Sequence, residues 1–138
     1  MPLREAHVED FEYLAEHTQS RGCFGDMPSQ IDFNYAFDFN DKLLAIGGFK
    51  LMNKYSAFVW MDWTEDAMKN KPLIYRVIKE WLESQEKGLG LTRIMAVIEP
   101  DFPEAIRTAE HLGFHQESVM RNFFGDKNGL MFVRLKRG

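Results

Sequence analysis

Two carboxylates of this 138-residue chain stand at the ends of strongly apolar runs. Asp62 lies between Met61 and Trp63 near the close of SAFVWMDW, and Glu99 follows TRIMAVI and precedes Pro100. A carboxylate so placed can take a proton from a bound group, directly or through water, and act as a general base. Both residues equally suit an ordinary role as strand-end charges facing water. Glu65 is a third carboxylate nearby. Lys69 and Lys71 bracket Asn70 just before Pro72. Two ammonium groups at a helix N-terminus can meet a phosphate as point charges, with the helix dipole assisting.

Other reactive residue types lack partners at useful spacing. His111 and His115 are four residues apart, but Gly113 between them should end a helix, so they need not share a face. No cysteine or carboxylate spacing completes a zinc set, and the expectation is that no metal is bound. Cys23, the sole cysteine, follows Gly22 without a cysteine–histidine signature around it; it cannot form an internal disulfide. Trp60, Trp63, Tyr75 and Trp81 could floor a ligand pocket, although aromatic residues on strands and helices more often fill a core.

The totals bound the function class. Hydrophobic residues at 45% and aromatics at 14% exclude a disordered chain, and the length predicts one domain over residues 1–138. A net charge of −4 argues against nucleic acid as the main partner, since phosphate binding needs a basic surface. MPLREAHVED lacks the pattern of a signal peptide, and no apolar run is long enough to span a membrane. A cytoplasmic setting is expected, with no membrane partner.

Hydrophobic period places these residues on elements. PLREAH reads as a short strand, and HVEDFEYLAEHTQS puts Phe11, Leu14, Ala15 and Thr18 on one helix face. SRGCFGDMPSQ is a loop. FNYAFDF alternates with a period of two, Asn40-Asp41 makes a tight turn into LLAIGGFKLMN, and SAFVWMDW follows as a central strand. Gly47-Gly48 suggests a bulge or a close backbone approach. Then the period changes: Ile74, Val77, Ile78, Trp81 and Leu82 form a helical stripe that begins near Pro72 and is closed by Gly88 and Gly90. TRIMAVI is a buried strand, EAIRTAEHL a helix, and HQESVMRNFF and GLMFVRLKR a hairpin around GDKNG. A strand–helix–strand unit amid hairpins predicts an α/β fold with one parallel pair, Ser56–Trp63 beside Thr92–Ile98, in an otherwise antiparallel sheet flanked by helices.

The helix EAIRTAEHL runs into Leu112-Gly113-Phe114, where Gly113 can take the left-handed conformation that stops it. In this order of elements, the segment from TRIMAVI through LGF to the closing hairpin resembles the GNAT superfamily, the Gcn5-related N-acetyltransferases. PLREAHVEDFEYLAEH likewise resembles the first strand and helix of that family, where an Arg and an Asp commonly recur. The resemblance spans nearly the whole chain in element order and the C-terminal third in residue pattern.

The resemblance implies a GNAT-like mixed sheet and transfer of an acetyl group from acetyl-CoA, as co-substrate, to a small-molecule or peptide amine. It implies that the aromatic strand and TRIMAVI splay to admit the acetyl group, with Asp62 or Glu99 as base. It puts coenzyme A against Met61, Trp63, Thr64, Lys69, Asn70 and Lys71. The family's glycine-containing pyrophosphate turn is replaced here by TEDAMKNKP, with no glycine. Ala109 stands where many members have a Tyr that protonates the leaving thiolate. The alternative is a non-catalytic GNAT-fold protein acting through protein contacts, like degenerate domains in bacteriophage internal virion or host-interaction proteins.

Overall fold

The computed structural model describes residues 3–17 and 33–136. Thr18 and all of SRGCFGDMPSQ, Cys23 included, lie outside them. In chain order the elements are β1 (Leu3–Glu5), α1 (Val8–His17), β2 (Phe33–Phe39), β3 (Lys42–Asn53), β4 (Ser56–Trp63), a 3₁₀ helix (Glu65–Asn70), α2 (Lys71–Leu89), β5 (Arg93–Ile98), α3 (Pro103–His111), β6 (His115–Phe124) and β7 (Lys127–Leu135). The strands form one seven-stranded sheet in the order β1-β2-β3-β4-β5-β7-β6. Every neighbouring pair is antiparallel except β4 and β5. The expected mixed sheet with its one parallel pair is therefore present. No helix among the described residues is long and apolar enough to cross a membrane.

Local chemistry accounts for the turns. Asn40 and Asp41 have φ of 52° and 62°, the left-handed pair that a two-residue hairpin turn needs and that Asn and Asp tolerate. Gly47 is a close approach and not a bulge: register is continuous there, and a Cβ would lie 3.4 Å from the Trp81 ring. The last hairpin turns more tightly than GDKNG suggests. Its turn is Gly125-Asp126, and Gly129 lies inside β7, where Val97 and Phe123 close over it.

Alternation along the strands makes two cores. Phe37, Ala45, Val59, Met61, Trp63, Ile94, Ala96 and Ile98 face α2 and α3. The five stripe residues of α2, Ile74, Val77, Ile78, Trp81 and Leu82, are all buried against them. Burying side chains of this size contributes about 1.5–3 kcal/mol each, which sets the helix on the sheet. Gly88 is inside α2 and does not end it; Gly90, with φ of 68°, makes the cap. A single glycine costs a helix about 1 kcal/mol, too little to stop one held by such a stripe. On the other face Leu14 of α1 packs on Ala36, Leu43, Ile46 and Trp60, with Phe11 and Tyr13 at the edge. Ala15, expected on that face, is exposed.

Its place is taken by charge. Asp10 is buried and receives two hydrogen bonds from the Arg4 guanidinium, at 2.7 and 2.8 Å, and one from the His7 backbone N–H at 2.7 Å. Arg4 also donates to Asp38 at 2.6 Å, so one side chain ties β1, α1 and β2 together. These bonds hold the Asp10 carboxyl below the usual carboxylate range, the Arg4 bonds contributing most. A depressed folded pKa means stability that is present above the unfolded value of about 4 and lost as pH falls through the folded one. Arg4 is partly open to solvent, so the contribution is about 1–2 kcal/mol. Urea midpoints of the wild type should fall below pH 4, and that slope should flatten in Asp10→Asn. An unchanged slope in the variant would place the acid sensitivity elsewhere.

The end of α3 is the best-determined stop. Phe114 N–H donates to Ala109 O at 3.0 Å and Gly113 N–H to Glu110 O at 3.1 Å, the two bonds of a Schellman cap. Leu112 and Phe114 are then both in the core. Gly113 has φ of 92°, and a Cβ on it would sit 2.8 Å from Arg134 Nη1, which donates to Leu112 O. Gly113→Ala should therefore cost about 2 kcal/mol or more, from the left-handed backbone and from the displaced guanidinium. A chemical denaturation midpoint equal to that of the wild type would contradict this account.

Candidate active site

β4 and β5 are parallel neighbours for only three residue pairs, Ser56–Phe58 with Arg93–Met95. Beyond these, β4 continues to Trp63 bonded to β3, and β5 continues to Ile98 bonded to β7, with no pairing between them. The strands part because each is held by its outer neighbour. The result is a gap in the ladder whose facing edges carry backbone N–H and C=O groups outside any strand pairing.

Asp62 and Glu99 flank this gap. On β4, Ala57, Val59, Met61 and Trp63 point to the α2 side, so Asp62 points to the α1 side with Trp60. On β5, Ile94, Ala96 and Ile98 point to the α2 side, and Glu99, one residue later, follows Val97 to the opposite side. Both carboxylates are half-buried and belong to the same face. Sequence alone placed each at a strand end; the register puts them on either side of one opening.

The residues expected around the coenzyme divide into three groups. Met61 and Trp63 are buried in the core, Met61 beside a small apolar cavity of about 20 Å³ with Gly47 and Trp81. Thr64 is fully buried, and its hydroxyl donates to Leu43 O at 2.8 Å while its N–H donates to Leu44 O at 2.9 Å. Its role is thus to pin the chain where β4 ends, and its one hydroxyl proton is already in use. Lys69, Asn70 and Lys71 lie at the junction of the 3₁₀ helix and α2. The Asn70 side-chain amide donates to Asp66 O at 3.2 Å. Lys69 and Lys71 are exposed, with no ion-pair partner among the described residues.

TEDAMKNKP is therefore helical, not an open turn. Its charge order, acids first and lysines last, matches a helix dipole and was a readable sign of this. Asp66 is offset by Lys42 at 3.8 Å, a partner that lies 24 positions away and has no local signature. Another feature invisible in the sequence joins β4, α2 and α3. Trp63 meets Tyr75 edge-on with centroids 5.7 Å apart, and Tyr75 packs on His111 at 4.3 Å. Ala109, on the same helix as His111, is fully buried. His111 ends α3 while His115 begins β6, and no group of three metal-ligating residues occurs among the described residues.

No family model and no curated protein matches this sequence. Its fold does match solved structures. The spermidine N-acetyltransferase SpeG of Vibrio cholerae (F149A mutant) superposes with a TM-score of 0.76 at 14% identity, over 98% of this chain and 95% of that one. The ribosomal-protein-S18-alanine N-acetyltransferase of Escherichia coli gives 0.73 at 14% identity, over 99% and 95%. A GNAT-family acetyltransferase of Bacillus anthracis gives 0.65 at 16% identity, over 74% and 65%. With its parted β4 and β5 and its Leu-Gly-Phe cap, this chain has the fold of the GNAT acetyltransferases.

Proposed function

We propose that the protein is an N-acyltransferase that moves an acetyl group from acetyl-CoA to an amine. The observation that carries this reading is the gap between β4 and β5, flanked by two carboxylates on one face. A thioester entering the gap from the α2 side would meet unladdered backbone N–H groups able to stabilise the oxyanion. The amine would approach from the α1 side, where Asp62 or Glu99 takes its proton before attack. The amine nitrogen then bonds the acetyl carbon, the C–S bond breaks, and the thiolate leaves. A thiol pKa near 8.5 makes that departure feasible without the side-chain acid missing at Ala109. The comparisons leave the acceptor open, since SpeG is named for a polyamine and the Escherichia coli protein for a ribosomal protein. Thiol release from acetyl-CoA across amine and peptide acceptors tests the proposal; background rates with all of them would end it.

Lys69 and Lys71 are the proposed pyrophosphate contacts. Changing both to Glu should weaken acetyl-CoA binding at least ~100-fold by calorimetry, since each charge-assisted bond contributes about 1.5–3 kcal/mol. Equal affinity in the double variant would put the ligand elsewhere. A second reading is favoured by the 3₁₀ helix standing where the family has its glycine turn. On that reading the chain is a non-catalytic GNAT-fold protein working through protein contacts, as in a bacteriophage virion or host-interaction factor. Absence of any acetyl-CoA binding by the folded wild type would favour it.

A further inference from the structure

Consecutive residues of a strand point to opposite faces, yet Phe123 and Phe124 of β6 share one. Met120 pairs with Gly129 and Phe124 with Lys127, so Arg121, Asn122 and Phe123 stand against Asn128 alone. Three residues against one make a large bulge, and a bulge re-aims side chains. Asn122 makes the bend with φ of 55°, a left-handed conformation that a non-glycine residue adopts at a cost. Its N–H donates to Asn128 Oδ1 at 3.3 Å. Phe124 packs with Met95, Val97, Met131 and Val133 on the α1 face, and the Phe123 ring meets it edge-on with centroids 4.9 Å apart.

Gly129 is what admits Phe123 to that face. It alternates with Met131 and Val133 along β7, and a Cβ on it would lie 2.9 Å from Val97 Cγ1 and 3.1 Å from Phe123 Cβ. Val97 pairs with Met131 and Ile98 with Leu130. Carried one residue further, that register sets Gly129 across from Glu99, about 5 Å away by strand spacing. Phe123 therefore lies over the residue beside a candidate base, at the β5 edge of the gap. Its ring is not covered: Phe123 is 44% exposed, and Glu99 is half-buried. A bulge also blunts an edge strand against pairing, but that role needs no phenyl group beside a carboxylate.

We propose that Phe123 is a specificity-determining residue of the acceptor site, its open ring face taking the apolar stem of the amine that reaches the gap. An aromatic face attracts alkyl carbons by burial and an ammonium group through its π electrons. An acceptor with apolar carbons next to its amine makes both contacts. One with ether or hydroxyl oxygens there must strip water from them against the ring. The inference rests on the proposed acyl transfer for the fate of the amine, but the contact itself rests on the bulge and on Gly129.

The test uses the whole protein with two amines of equal chain length, n-hexylamine and 2-(2-aminoethoxy)ethanol, in which oxygens replace part of the carbon chain. An NMR titration of the wild type should find n-hexylamine about 10-fold tighter, the gain from covering one ring face. In Phe123→Ser, n-hexylamine should fall to the level of the polar amine, whose own affinity should change little. Phe123→Leu keeps an apolar side chain and should retain part of the preference. Gly129→Ala, which displaces the ring, should lose most of it. Where both amines are acetylated, the same ratio should appear in kcat/KM and arise in KM. A wild type without the preference, or a Phe123→Ser variant that keeps it, would overturn the inference while the transferase reading survived. The expected binding pattern with no thiol release would support the contact and end the transferase reading.

Discussion

Asp62→Asn should lower kcat/KM for acetyl transfer by about 100- to 10,000-fold, the range general base catalysis supplies. The amide keeps the size and hydrogen-bonding capacity of the carboxylate but cannot take a proton. A rise in pH that deprotonates the amine in solution should recover part of the loss, so the acidic limb of the pH–rate profile moves upward in the variant. Acetyl-CoA affinity should be unchanged, because Asp62 lies on the face opposite α2. Glu99→Gln is the companion experiment. If it carries the loss and Asp62→Asn does not, Glu99 is the base; if neither slows an active enzyme, the amine is deprotonated before it binds.

Arg134→Met should destabilise the fold by about 3–5 kcal/mol, the cost of leaving one partner of a mostly buried ion pair alone. The Arg134 side chain is 14% exposed and Glu86 13%. Its Nε and Nη2 donate to Glu86 at 3.3 and 3.2 Å, and Nη1 to the carbonyl of Leu112. One guanidinium thus joins β7 to α2 and to the end of α3. In a chain of this length the loss corresponds to a melting temperature lower by roughly 10–17 °C. Adding Glu86→Leu should restore most of it, because an apolar pair is about as stable there as the ion pair. A single variant that melts with the wild type would mean that solvent, not Glu86, balances the charge.

Some of this was written in the sequence in a form that needs no partner. The period of two in FNYAFDF, the stripe on α2, and the left-handed turns at Asn40-Asp41 and Gly113 follow from backbone geometry within a few residues. The parallel pair followed too, since a strand–helix–strand unit of this length closes in no simpler way. Asp62 and Glu99 were legible as strand-end carboxylates. What was not legible depends on which strand lies beside which, and in what register. Ala15 yielded the buried side of α1 to Asp10 because Arg4 and Asp38 converge there from two strands. EDAMKN became a 3₁₀ helix, and Thr64 just before it is pinned to β3. Gly113 is required by its φ, a local matter, and again by Arg134, which arrives 21 residues later. The gap between β4 and β5 exists only once β3 holds β4 and β7 holds β5. Spacing along the chain sets which way a side chain points from its own strand, but only the pairing of distant strands decides what it meets.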